Sequence, residues 1–112
     1  MENKVEFESE AKVRVIVPEI MFGVIESDVE FFASNKNRMC NQIFTYYSNL
    51  AGISPQEINL KPSRTLQFTL NQENQDLFAA VCDSLQVKNK AEYFRQVLYL
   101  YCNQPRYLRE RI

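Results

Sequence analysis

Residues 64–104 read RTLQFTLNQENQDLFAAVCDSLQVKNKAEYFRQVLYLYCNQ. Over Arg64–Leu70 the chain alternates: Leu66, Phe68 and Leu70 fall on one face, Thr65, Gln67 and Thr69 on the other. Period-two alternation predicts a half-buried strand. At Asn71 the period changes. Leu77, Val81 and Leu85 recur as one helical stripe with Phe78 and Cys82 beside them, which predicts an amphipathic helix. After Lys88-Asn89-Lys90 a second helical pattern takes in Tyr93, Phe94, Val97, Leu98 and Tyr101, and it stops before Pro105.

The same order of signals precedes this stretch. In Lys12–Val17, KVRVIV, the residues Val13, Val15 and Val17 share a face, and Lys12, Arg14 and Ile16 share the other. Pro18-Glu19 follows, a proline pre-organised for a helix start and an acid suited to the helix dipole. Met21, Val24, Ile25, Val29 and Phe32 mark a stripe, with Gly23 inside it at a cost of about 1 kcal/mol against alanine. Ser34-Asn35-Lys36-Asn37 interrupts with N-capping residue types, and Met39, Cys40, Ile43, Phe44 and Tyr47 resume the helical period to about Leu50. Val17/Pro18 then corresponds to Leu70/Asn71, an internal repeat offset by about 53 residues and carried by pattern, since identity is slight.

The expected organisation is therefore a first repeat over 1–50, a linker over 51–63 and a second repeat over 64–112, together forming one compact domain. Gly52, Pro55 and Pro62 mark the linker, in which Ser54-Pro55-Gln56-Glu57 is a weak helix-start signal. Met1–Glu10 reads as a short acidic arm. Val5, Phe7, Ser9 and Ala11 nevertheless keep the parity of the valines, so an early strand start is an open alternative. Pro105–Ile112, PRYLRERI, reads as either a loose basic tail or a short added helix.

The chain has 112 residues, a formal net charge of −1, 46% hydrophobic residues and no histidine. This length fits one domain able to bury a core. The absence of histidine removes histidine-based catalysis and histidine-rich metal sites. With no glycine-rich phosphate loop and no nucleophile beside a recognisable base, no enzyme, cofactor or metal is expected. Cys40, Cys82 and Cys102 are odd in number, fit no metal spacing and fall in helical patterns. They read as small buried hydrophobes in a reducing compartment. An acidic start without an apolar run predicts no signal peptide, no apolar run reaches membrane-span length, and a cytoplasmic protein is expected. The near-neutral charge counts against nucleic-acid binding, but its distribution counts for it. Lys12, Arg14, Lys36, Arg38, Lys61, Arg64, Lys88 and Lys90 lie on the two strands or near the helix starts.

The 64–104 stretch resembles the ribbon-helix-helix family of DNA-binding proteins, the MetJ/Arc type. KNKAEYFRQVL is the segment most like that family, and FTLNQE sits where its strand enters its first helix. In the first repeat VRVIVPEIM resembles the family's strand and proline-started helix, and NKNRMCNQIF its second helix. The resemblance implies a mainly α fold with a two-stranded antiparallel ribbon, here as tandem copies with a pseudo-two-fold within the chain. A forty-residue unit of this kind is too small to bury its own core. Either Lys12–Val17 pairs with Thr65–Leu70 in one molecule, which is the more economical solution, or like repeats pair between the chains of a homodimer.

The resemblance further implies binding of double-stranded DNA by the ribbon in the major groove, as a transcriptional regulator or repressor. The base-reading positions would be Lys12, Arg14, Ile16, Thr65, Gln67 and Thr69. Arg14 suits a bidentate contact to guanine and Gln67 one to adenine, each worth about 1–3 kcal/mol of discrimination. Ile16 departs from the polar residue usual in the family. Phosphates would be held at the second-helix starts, Asn35-Lys36-Asn37-Arg38 and Asn89-Lys90-Ala91. The alternative is a protein-interaction factor on the same scaffold, an antitoxin-like partner or a mobile-element protein. Ile16 and a surplus of aromatic residues favour that alternative.

Overall fold

A computed structural model describes residues 11–49 and 57–110. The chain runs β1 (Lys12–Pro18), α1 (Glu19–Phe31), α2 (Lys36–Tyr47), β2 (Ser63–Thr69), α3 (Gln72–Leu85), α4 (Lys90–Cys102) and a short α5 (Arg106–Arg109). β1 and β2 pair antiparallel within the chain, as the more economical arrangement predicts, with Val13 opposite Phe68, Val15 opposite Leu66 and Arg14 opposite Gln67.

Burial fixes this register. Val13, Val15 and Val17 of β1, and Leu66, Phe68 and Leu70 on and just after β2, all lie in the core. A slip of one residue would turn them all to solvent, and fully burying one such side chain is worth about 1.5–3 kcal/mol. The helices cover this face. Met39, Cys40, Ile43, Phe44 and Tyr47 of α2 and Tyr93, Phe94, Val97, Leu98 and Tyr101 of α4 are buried. The two helices pack on each other and on the strands. Phe94 is central to the packing, with ring centroids 5.4 Å from Phe44, 4.9 Å from Phe78 and 6.2 Å from Phe68.

The helix starts follow the sequence. Asn35, Asn71 and Asn89 cap α2, α3 and α4, each side chain accepting the backbone N–H three residues on. Pro18 has no capping side chain, and the Glu19 N–H at the start of α1 donates instead to the Pro62 carbonyl at 2.9 Å. Each αα turn passes through a left-handed residue that is not glycine, Ala33 (φ 51°) and Gln86 (φ 55°).

Several expectations change. Leu85, expected on the buried stripe of α3, is 41% exposed, and of that stripe Val81 alone is fully buried. Phe22, outside the expected α1 stripe, is buried, with the Arg64 guanidinium 4.0 Å above its ring. The C-terminal basic segment is the short helix rather than a loose tail. There Arg109 grips Asp28 of α1, with Arg109 Nη2 donating to Asp28 Oδ1 at 3.0 Å, and Tyr101 Oη donates to Asp28 Oδ2 at 2.5 Å. Asp28 is fully buried. Burial raises its carboxyl pKa, but hydrogen bonds from Arg109 and Tyr101 and the charges of Arg109 and Arg106 outweigh this and hold it below the ordinary range. The early strand start over Val5–Ser9 falls outside the described residues, but Ala11, which would continue it, is helical; of the weak helix signal Ser54-Pro55-Gln56-Glu57 only Glu57 is described, and it is not helical.

Candidate nucleic-acid interface

The alternation that buries one side of the ribbon necessarily presents the other. Lys12, Arg14, Ile16, Thr65, Gln67 and Thr69 are all exposed. They form three cross-strand rungs: Lys12 with Thr69, Arg14 with Gln67, and Ile16 with Thr65. All six residues expected to face outward therefore lie together, backed by Val15 at 2% and Leu66 at 0% exposure. Among the described residues Lys12 and Arg14 make no ion pair, whereas Arg64, one position beyond the rungs, stands 3.7 Å from Glu26.

The ribbon is held by side chains from the second helix of each half. Asn41 of α2 donates to the Thr69 carbonyl at 2.9 Å, and Arg95 of α4 donates to the Ile16 carbonyl at 2.7 Å. Asn41 lies six residues after its cap Asn35, and Arg95 six after Asn89. Around Asn41 an amide network closes. Its Oδ1 accepts from the Asn71 N–H at 2.9 Å and from Asn74 Nδ2 at 3.0 Å, and Thr45 Oγ1 donates to Asn74 Oδ1 at 2.8 Å. Sequence reading did not find these residues. Their partners lie about thirty positions away, and an isolated asparagine on a helix carries no signal of what it will meet.

The phosphate candidates divide. Asn35, Lys36, Asn37, Arg38, Asn89, Lys90 and Ala91 are all exposed. Lys90 and Ala91 border a cleft of about 690 Å³ shared with Lys12 and Arg14, so the start of α4 comes beside the ribbon. Lys36 borders another, of about 650 Å³, with Leu66 of β2 and the acids Glu26 and Glu30. Arg38 belongs elsewhere, lining a separate cleft of about 220 Å³ with Arg109. Asn37 Oδ1 accepts the Thr69 N–H at 2.6 Å, which ties the start of α2 to the end of β2. Asn35 and Asn89 act as caps, so the Arg38 and Glu92 amides are already satisfied and the free helix-start amides are those nearer each terminus.

The remaining chemistry is quiet. The three cysteines are free, and burial pushes the Cys40 and Cys102 thiols up to about 12, far from thiolate reactivity. Among the described residues no group of His, Cys, Asp and Glu is placed to hold a metal, and no helix is long and apolar enough to cross a membrane. No family model matches the chain, and no curated protein or solved structure matches it.

Proposed function

We propose that the protein binds double-stranded DNA by laying its two-stranded ribbon in the major groove, as a tandem ribbon-helix-helix regulator of transcription. The observation that carries this reading is the central rung. Arg14 and Gln67 are cross-strand partners on an exposed ribbon whose opposite side is buried under helices. These are the side chains suited to bidentate contact with guanine and adenine, and a two-stranded ribbon has the width of the major groove. Further support comes from the start of α4 beside the ribbon, where the Lys90 and Ala91 amides and the helix dipole suit a phosphate.

The tandem arrangement is supported by features that recur at offsets of 53 and 54 positions. The left-handed residues Ala33 and Gln86 stand 53 positions apart. Asn41 and Arg95 occupy equivalent places after their caps and bind the strand of the other half. Because the two strands differ in sequence, one molecule should prefer a site without internal two-fold symmetry.

The test is binding to random and selected duplexes over a series of salt concentrations. A DNA binder loses affinity linearly in log salt with a slope set by the phosphates it neutralises. Binding that is absent at low salt, or indifferent to salt, overturns the reading.

A second reading is a protein-binding factor on the same scaffold. Its support is apolar exposure: Ile16 at 47%, Phe31 at 56%, Tyr46 at 54% and Tyr107 at 65%. Salt-insensitive capture of a protein partner, without DNA binding, would select it.

A further inference from the structure

We infer that DNA is gripped from one flank of the ribbon, that of β1 and α4, with Lys12 and Lys90 as the phosphate-binding side chains, and that the flank of β2 and α2 adds no phosphate contact. The inference rests on the DNA-binding reading and adds to it a lopsided hold on the sugar-phosphate backbone.

The cations of the ribbon are unevenly shared. On its exposed side Lys12 and Arg14 both belong to β1, while β2 offers Thr65, Gln67 and Thr69, none of them charged. The one cation of β2, Arg64, is already engaged. Its Nη1 stands 3.7 Å from Glu26 Oε1, and its guanidinium lies 4.0 Å above the Phe22 ring. Among the described residues none of Lys12, Arg14 and Lys90 takes part in an ion pair.

The two lysines that open the second helices are also placed differently. Lys36 is the first residue of α2 and Lys90 the first of α4. Lys90 shares the cleft of about 690 Å³ with Lys12 and Arg14, and its Nζ stands 5.8 Å from the Phe78 ring centroid. Lys36 is the one cation among the described residues lining its own cleft of about 650 Å³. Each cleft also holds two acids, Asp76 and Asp83 in the first, Glu26 and Glu30 in the second. The cations therefore decide the balance. The first cleft is net positive, and the second is not, even with Arg64 set against Glu26. The other polar candidates of α2 are committed elsewhere: Asn37 Oδ1 accepts the Thr69 N–H, and Arg38 lines a separate cleft with Arg109 and Glu110. A polyanion is drawn to the flank of positive potential, and each phosphate neutralised there adds about 0.9 to the slope of log affinity against log salt.

The test is the salt dependence of binding to one duplex selected by the wild type, read by fluorescence anisotropy for single variants. Lys12→Ala and Lys90→Ala should each lower the slope by about 1, Lys90→Arg should keep it, and Lys36→Ala should leave it unchanged. All three lysines are exposed, so thermal unfolding of the variants should match the wild type. A slope loss in Lys36→Ala equal to that in Lys90→Ala, or no loss in either Lys12→Ala or Lys90→Ala, overturns the inference while the wild type still binds DNA. A wild type without salt-dependent binding overturns the DNA-binding reading itself, and this inference with it.

Discussion

Asp28 and Val81 are each the tenth residue of the helix that follows a strand, α1 in the first half and α3 in the second. Both are buried, Asp28 at 0% and Val81 at 4% exposure. The second half fills the position with an apolar side chain and needs nothing more. The first half places a carboxylate there, which is tolerable only when paired and hydrogen-bonded. It therefore recruits Arg106 and Arg109 from α5 and the hydroxyl of Tyr101. The same contrast recurs where each second helix holds the ribbon, with a buried amide network at Asn41 and an arginine at Arg95 that also pairs with Glu92. Positions that match in order along the two strand-helix-helix segments are filled by different chemistry, and the polar solutions tie distant parts of the chain together.

The largest effect should come from breaking the carboxylate of the first half. Asp28→Asn leaves Arg109 without its charge partner and should cost about 3–5 kcal/mol in denaturant unfolding. It should also change the pH dependence. The folded pKa of Asp28 is depressed, so the stability it contributes is complete above its ordinary value of 3.8 and is lost as the pH falls through the lower folded value. The wild type should therefore lose stability more steeply than Asp28→Asn below about pH 4. A parallel decline in both would show that the pairing is not what stabilises the first half.

Asn41→Leu strands the Asn71 N–H and the Thr69 carbonyl, and we expect a loss of about 2–4 kcal/mol by thermal or urea unfolding. Arg14→Ala and Gln67→Ala should leave stability within about 0.5 kcal/mol of wild type. Each should remove about 1–3 kcal/mol of discrimination at a different base position in a binding-site selection. Equal effects at the same position would contradict a ribbon whose strands read different bases. Arg95→Ala, at a place near solvent, should cost about 1–2 kcal/mol, less than Asn41→Leu. The smallest expected change is a gain. Ala33→Gly and Gln86→Gly relieve left-handed backbone at both αα turns, and each should stabilise by about 1 kcal/mol in thermal unfolding. A gain at one site only would count against reading the two turns as a repeat.

Much of the fold was legible because its signals are local. Period two in Lys12–Val17 and Arg64–Leu70 marks strands, and the caps Asn35, Asn71 and Asn89 mark helix starts, since each depends on neighbours within a few residues. The six outward residues of the ribbon were legible for the same reason, as their side is set by the parity of the buried valines and leucines. Leu85 was misread because a helical stripe says which residues could face a core, not how far the core extends. Arg38 was grouped with the ribbon by its place in the chain, yet it borders a different cleft.

By itself the sequence determined the strands, the helices, the side of each strand that is buried and the candidate reading residues, because periodicity and capping are short-range. Only the tertiary structure decided that Arg14 stands opposite Gln67, that Asn41 meets Asn74 and that Asp28 is held by Arg109. Those pairings join residues dozens of positions apart, and their geometry exists only once the ribbon has closed and the helices have packed beneath it.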